Sequence, residues 1–200
     1  MNDAIAHVID DDAAIRDALE WLLRSRGVAV RSWESGEAFL DGLAGAARGC
    51  VILDVRMEGM SGIEVYDQLL ARGVRLPVIF LTGHGEVQMA VAALKRGAFD
   101  FVEKPFNDNQ LVDRVLEALR FDEVAHQELE VEAGVTARLE RLTPREREVM
   151  DRILGGDANK VIAGALNITV RTVEVHRARV FEKMGVRSAV ELARLVGGKG

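Results

Sequence analysis

The chain has 200 residues, 48% of them hydrophobic and 29% charged, so it is long enough for one large or two small globular domains. Its single cysteine, Cys50, excludes an intramolecular disulfide and a cysteine-based metal cluster. The sequence has neither a membrane-spanning apolar run nor a secretion signal, and we therefore expect a soluble cytoplasmic protein with no membrane partner.

The net charge of -6 is unevenly distributed along the chain. From Thr143 onward there are 11 Lys and Arg against 7 Asp and Glu, whereas the residues before it carry 15 against 25. An acidic front joined to a basic tail predicts a nucleic-acid-binding C-terminal part carried by a part that does not bind nucleic acid. A difference of this size is equally compatible with ordinary variation in surface charge, so a motif must support it.

Short apolar runs alternate with helical patterns along residues 1–121. The runs are bounded by turn residues, which is typical of strands buried on both faces. The predicted strands cover residues 5–9, 28–33, 50–53, 78–81 and 99–102, and a helix follows each, the last two over 86–96 and 107–121. Right-handed crossovers then give an α/β, doubly wound parallel sheet of five strands.

Polar residues follow the ends of four of these strands. They are Asp10, Asp11, Asp54, Thr82 and Lys104. Each has a simple structural explanation, as a helix cap, a turn residue or solvated surface. Together they are expected to meet, because the carboxyl ends of parallel strands share one edge of the sheet.

The residue types at this edge favour phosphoryl transfer. Carboxylates that converge repel one another, and Mg2+ is the usual relief. The metal and the Lys104 ammonium would neutralise a phosphoryl group, Thr82 would donate a hydrogen bond to it, and Asp54 would be the nucleophile. Gly83 would leave room for the phosphate.

These positions resemble the receiver domain of two-component response regulators over the whole front of the chain. Thr82-Gly-His-Gly and the segment 100–106, Asp-Phe-Val-Glu-Lys-Pro-Phe, are similar to the FixJ subgroup in particular. The resemblance implies a phosphoacceptor, Asp54; Mg2+ held by Asp10, Asp11, Asp54 and the backbone carbonyl of Arg56; phosphoryl contacts from Thr82 and Lys104; and an aromatic switch residue, Phe101.

One position departs from the family pattern. Glu58 stands where the family usually has proline, four residues after the phosphoacceptor. We expect a less rigid loop and an added negative charge near the metal, so that Glu58→Pro would raise metal affinity or phosphorylation rate.

A second unit is predicted from Thr143 to Gly200, after a partly helical linker over 122–142 whose first half could equally continue the fifth helix. Thr143, Pro144 and Glu146 form a helix start with a capping box. The pattern predicts a second helix capped by Asp157, a turn at 167–168, a third helix over 169–184 and a fourth over 188–197. This gives an all-α domain of four helices.

The second and third of these helices form a helix-turn-helix candidate. Val170, Val173, Val180 and Met184 are its expected buried stripe. The segments 142–149, 159–163 and 172–177 resemble the LuxR-type DNA-binding domain, which implies DNA contacts from Lys160, Thr172, Glu174, Val175, His176, Ala178, Arg179 and Lys183. Without Cys or His neighbours at ligand spacing, His176 is expected to pack or to contact phosphate and not to bind metal.

The sequence therefore predicts a phosphorylation-controlled transcription factor of the FixJ/NarL type, not an enzyme. Its expected partners are a sensor histidine kinase, promoter DNA, RNA polymerase and, after phosphorylation, a second copy of the chain. An aspartyl-phosphate phosphatase is disfavoured because the position of a second acid-base carboxylate is Arg56. A phosphate-independent DNA-binding protein with a degenerate receiver is disfavoured because every ligand position is filled.

Overall fold

The computed structural model describes residues 4–43, 47–83 and 87–197. It divides into two compact units, one ending at His126 and one beginning at Gln127. The predicted loop at His84 and Gly85, and the predicted start of the fourth helix at Glu86, lie outside the described residues. The first unit contains strands β1 (Ile5–Ile9), β2 (Val30–Trp33), β3 (Gly49–Asp54), β4 (Val78–Thr82) and β5 (Asp100–Glu103), and helices α1 (Ala13–Ser25), α2 (Gly36–Gly42), α3 (Gly62–Ala71) and α4 (Val87–Lys95). Helix α5 (Asp108–Glu140) begins in the first unit, and its residues from Gln127 onward belong to the second.

The strands form one parallel sheet in the order β2-β1-β3-β4-β5, which confirms the predicted doubly wound fold. All six residues of the central strand β3 are buried. Side chains alternate between faces along a strand, so Ile52 packs in one core with α1 and α5, whereas Val51 and Leu53 pack in the other with α2, α3 and α4. Two helix layers over a sheet buried on both faces explain the continuous apolar run of β3.

Trp33 and His7 form a buried aromatic contact beside the edge strand β2. Trp33 Nε1 donates to His7 Nδ1 at 3.2 Å, and Arg31 lies over the indole ring, 4.1 Å from its centroid. Burial lowers the pKa of His7 to about 4, so the imidazole is neutral at pH 7 and accepts the indole hydrogen bond.

Helix α5 is longer than the sequence predicted. It ends at Glu140 and not near Phe121, so the segment read as a partly helical linker continues the helix. Gly134 alone costs a helix interior only about 1 kcal/mol, which neighbouring contacts can offset. Within the first unit, Asp122 accepts hydrogen bonds from Arg48 Nε at 2.8 Å and Gly49 N at 3.1 Å.

The second unit contains the predicted helices α6 (Pro144–Leu154), α7 (Asn159–Leu166), α8 (Val170–Met184) and α9 (Ala189–Gly197). The capping box of Thr143 and Glu146 is present, and Asn167 ends α7 in the left-handed region, with φ 54°. The predicted cap at Asp157 is wrong, because Ala158 occupies the cap position and the Asp157 carboxylate pairs with Arg152 at 3.2 Å. No helix within the described ranges is both long and apolar enough to cross a membrane.

Candidate functional site

The ends of β1, β3 and β5 bring three charged side chains into contact. Lys104 Nζ lies 2.5 Å from Asp54 Oδ1 and 3.1 Å from Asp10 Oδ2. Asp54 is the last residue of β3, and Asp10 and Lys104 come directly after β1 and β5. Because these strands are parallel members of one sheet, residues far apart in sequence meet at its carboxyl edge.

This contact is largely buried, with Asp10 at 1% and Asp54 at 6% exposure. Burial raises the pKa of Asp54 above its ordinary value, and the hydrogen bond from Lys104 only partly opposes this shift. Burial alone would lower the pKa of Lys104, but its hydrogen bonds to the two carboxylates raise it overall. The ammonium therefore stays charged at neutral pH and offsets only part of the carboxylate charge.

Arg16, for which no sequence motif predicted a role, holds two backbone carbonyls of the acidic loop after β1. Its Nη1 donates hydrogen bonds to the carbonyl oxygens of Asp10 at 2.7 Å and Asp11 at 3.0 Å. Asp12 caps α1 by accepting from Ala14 N at 2.8 Å. The position of Arg16, one turn after this cap, is the signal that could have identified it.

The loop between β3 and α3 folds back against the end of β3. Arg56 N donates to Asp54 Oδ2 at 3.0 Å, and Glu58 N donates to Asp11 Oδ2 at 2.8 Å. A Cβ atom at Gly62 would lie only 2.1 Å from the carbonyl oxygen of Asp54, so this close return requires glycine. Hydrogen bonds therefore fix the loop that carries Glu58, although the absence of the usual proline predicted a less rigid loop.

Thr82 is fully buried at the end of β4, and its Oγ1 makes no hydrogen bond within the described part of the chain. An unpaired buried hydroxyl costs about 1–3 kcal/mol unless a ligand satisfies it. Lys104 N donates to the carbonyl oxygen of Thr82 at 2.7 Å, so the hydroxyl-bearing residue adjoins the Lys104 backbone. Phe101 is half-buried on β5 and packs against the core formed by α2, α3 and α4.

The oxygen donors at this edge of the sheet suit Mg2+, which keeps several waters, better than a metal bound by protein ligands alone. Among the residues described, no three His, Cys, Asp or Glu side chains lie close enough to hold a metal by themselves. Mg2+ commonly takes one or two carboxylates and keeps several waters. Asp10, Asp11 and Asp54 carry hard carboxylate oxygens of the kind that Mg2+ prefers. The Thr82 hydroxyl, without a hydrogen-bond partner among the described residues, could donate to an anionic ligand.

Helix α8 carries most of the predicted DNA contacts. Val173, Val180 and Met184 form its buried stripe, but Val170, at its first position, is 41% exposed and is not part of it. The candidates that are exposed on α8 are Glu174, Val175, Ala178 and Arg179, with Thr172 half-buried. Lys160 is exposed on α7. These side chains are available to a ligand in the unit as it stands.

Two predicted contact residues have partners or surroundings inside the unit. Lys183 Nζ donates to Glu146 Oε2 at 2.6 Å and to the Arg141 carbonyl at 3.1 Å. An ammonium has three donors, so one remains for an external group. His176 is half-buried, and its Nδ1 is buried without a hydrogen-bond partner among the described residues.

Comparison with known families assigns both units. Residues 6–116 match the response regulator receiver domain, and residues 140–196 match the bacterial regulatory proteins of the luxR family. The chain belongs to the two-component response regulators. The luxR match confirms the predicted LuxR-type DNA-binding domain, and sequence identity to FixJ over nearly the full length confirms the FixJ-type resemblance. The chain is a transcriptional regulator by family.

Full-length relatives support this membership. The chain is 52% identical over 191 residues to the C4-dicarboxylate transport transcriptional regulatory protein DctR of Rhodobacter capsulatus, covering 94% of this response regulator and 97% of DctR. It is 46% identical over 189 residues to the transcriptional regulatory protein FixJ of Bradyrhizobium diazoefficiens, covering 94% and 92%. The structure of the response regulator StyR matches it with a TM-score of 0.93 at 38% identity, covering 98% of this chain and 99% of StyR.

Proposed function

We propose that this response regulator accepts a phosphoryl group on Asp54 from a sensor histidine kinase and thereby controls its binding to promoter DNA. The observation that carries the proposal is the Lys104 ammonium, within 3.1 Å of two buried carboxylates. The Thr82 hydroxyl, which has no hydrogen-bond partner among the described residues, lies at the end of the neighbouring strand β4. A carboxylate nucleophile, an ammonium and a free hydroxyl donor are the groups that phosphoryl transfer requires. We propose no separate enzymatic site.

The proposed step is a displacement at phosphorus. An Asp54 oxygen forms a P–O bond while the bond from phosphorus to the histidine nitrogen of the kinase breaks, and that nitrogen keeps the electron pair. The Lys104 ammonium moves from the Asp54 carboxylate to the phosphoryl oxygens, and Thr82 donates its hydroxyl hydrogen to one of them. Asp54 and Thr82 are buried and Lys104 is half-buried, which limits the competition of water for these hydrogen bonds.

The acidic residues would hold Mg2+ beside Asp54. Receiver domains as a family use Mg2+ for phosphorylation. We propose that Asp10, Asp11, Asp54 and the Arg56 carbonyl hold the ion in this chain. When bound, Mg2+ offsets the repulsion between the incoming dianion and the carboxylates.

Phosphorylation with acetyl phosphate, followed by mass spectrometry, tests the acceptor. We expect one phosphoryl group on the native protein with Mg2+, none with EDTA and none on Asp54→Asn. Asp17→Asn is the matched control, since it removes the same charge from an exposed position on α1. Phosphorylation that persists in Asp54→Asn or in EDTA would reject the assignment.

For the second unit we propose that α8 enters the major groove. Glu174, Val175 and Ala178 would face base edges, where glutamate can accept from a cytosine amino group. Lys160, Thr172 and Arg179 would contact phosphates, as would the remaining Lys183 donor. We propose that His176 packs within the unit, since its Nδ1 is buried.

We also propose that the phosphorylated protein acts as a homodimer and contacts RNA polymerase. By family resemblance, Thr82 and Phe101 would move together when phosphate binds, and α4 and β5 would then form the dimer contact. The half-buried position of Phe101 on β5 supports a change that reaches this face. Phosphorylation can shift the equilibrium only by its differential stabilisation of the two states.

A further inference from the structure

Alternate backbone amides of the loop between β3 and α3 donate to carboxylates from three separate parts of the first unit. The hydrogen bonds are Arg56 N to Asp54 Oδ2 (3.0 Å), Glu58 N to Asp11 Oδ2 (2.8 Å) and Met60 N to Glu37 Oε1 (3.1 Å). We call these bonds the amide ladder. Two of the accepting residues belong to the proposed metal site, whereas Glu37 lies in the first turn of α2.

The third bond of the amide ladder depends on a glycine as well as on Glu37. Gly59 adopts φ +77°, and a Cβ atom there would lie 3.1 Å from Glu37 Oε1, which is tighter than most contacts of this kind. Because glycine at 59 has no Cβ, the Glu37 carboxylate can approach the backbone there and accept the hydrogen bond from Met60 N. Glu37 is exposed, so no apolar packing competes with this hydrogen bond as the reason for its position.

The second bond of the amide ladder requires a residue other than proline at position 58. Proline has no N–H and could not donate to Asp11. The glutamate side chain is exposed, so the group that acts on Asp11 is the backbone amide. We therefore expect Glu58→Pro to weaken metal binding, the opposite of the expectation from the sequence alone, because the substitution would release the Asp11 carboxylate.

We propose that Glu37 is a positioning residue for the metal site. By holding the Met60 amide, it fixes the far end of the loop whose near end carries Arg56, the residue whose carbonyl is proposed to bind Mg2+. Glu37 itself supplies no ligand and acts only through the loop. The effect of Glu37 on metal binding rests on the proposed function, whereas its effect on the loop does not.

The first test is amide hydrogen exchange at Met60 in the unphosphorylated full-length protein, measured by NMR. We compare Glu37→Ala, which removes the acceptor, with Glu37→Gln, which keeps an oxygen at the same place. Hydrogen bonds to charged groups are among the stronger ones, so exchange should be about tenfold faster in the alanine variant. The glutamine variant should recover most of the protection. Glu34→Ala is the matched control, an exposed glutamate at the same end of β2.

The second test is the affinity of the same variants for Mn2+ used as a Mg2+ substitute, measured by EPR of the free ion. We expect affinity to fall several-fold in Glu37→Ala and to recover in Glu37→Gln, and to fall further in Glu58→Pro than in Glu58→Ala. If Mn2+ affinity fell equally in both Glu37 variants while Met60 exchange stayed unchanged, only the charge of Glu37 would affect metal binding, and the proposal would be overturned. If the native protein bound no metal, the metal site would fail, while the exchange data would still decide the role of Glu37 in the loop.

Discussion

The ion pair between the buried Glu146 and the half-buried Lys183 should make the DNA-binding unit less stable in acid. Glu146 is 2% exposed, accepts from Lys183 Nζ at 2.6 Å and also accepts from Thr143 N at 2.8 Å. The hydrogen bond from Lys183, followed by that from the Thr143 backbone, lowers the pKa of Glu146 from 4.5 to about 2. The folded state therefore binds this proton less readily than the unfolded state does.

The sign and size of the effect follow from linkage. A carboxyl with a lowered pKa stabilises the fold fully above its unfolded pKa, and that contribution is lost as the pH falls from about 4.5 to about 2. A shift of this size corresponds to about 3 kcal/mol at neutral pH. Lys183→Met should remove the larger part of this, about 1–3 kcal/mol, because the hydrogen bond from Thr143 N to Glu146 remains.

The assay is urea unfolding of residues 127–200 at several pH values, followed by circular dichroism. Glu146→Gln should flatten the acid dependence between pH 4.5 and 2, since it removes the titrating group. Glu148→Gln is the matched control, because Glu148 is an exposed neighbour on the same helix. A loss below about 1 kcal/mol in Lys183→Met, the usual value for surface pairs, would refute the reasoning.

Three further predictions concern DNA binding and fragment boundaries. Lys160→Ala and Arg179→Ala should each weaken binding to all DNA sequences similarly and lower the salt slope by about one unit, measured by titration at several salt concentrations; an unchanged slope would remove that residue from the contact set. A fragment beginning at Thr143 should be less stable in urea than one beginning at Gln127, by about 2 kcal/mol, because it loses residues 127–142 with the C-terminal part of α5; equal midpoints would contradict this. Phosphorylated full-length protein should elute as a dimer in light scattering and bind DNA more tightly, with a coupling of about 1–3 kcal/mol, whereas constant mass and affinity would favour a degenerate receiver.

The fragment prediction rests on contacts made by the end of α5 within the second unit. Arg138 Nη1 donates to the Met184 carbonyl at 2.9 Å, at the C-terminus of α8, where a cation is favourable. Arg147 Nη2 donates to the Leu139 carbonyl at 2.7 Å, and Leu142 is buried in the core of the unit. A fragment that begins at Thr143 therefore lacks an apolar side chain and a helix-end partner.

The sheet and the meeting of Asp10, Asp54 and Lys104 could be predicted from sequence because both depend on simple patterns. Apolar runs that alternate with helices give a parallel sheet, and parallel strands bring their carboxyl ends together. The capping box at Thr143 is similarly local, since its two partners are three residues apart in sequence.

Other features depend on partners distant in sequence, which no local pattern reveals. Glu37 accepts a hydrogen bond from Met60 N, 23 residues further along the chain. Lys183 on α8 pairs with Glu146 on α6 because these two helices pack together. The end of α5 was misjudged for the same reason. Gly134 and a dense run of glutamates suggested a break, whereas contacts at both ends of the segment stabilise the helix.

The placement of the tryptophans makes the two halves of the protein optically separable. Trp21 and Trp33 are the only tryptophans of the chain, and both precede the second unit. Trp33 is 9% exposed, whereas Trp21 is 75% exposed, so Trp21→Phe leaves a single buried fluorophore at the edge of the sheet. Its emission would then report melting of the receiver alone in the intact protein. Helical circular dichroism of the same sample would include the DNA-binding half, so the order in which the halves unfold can be read without labels.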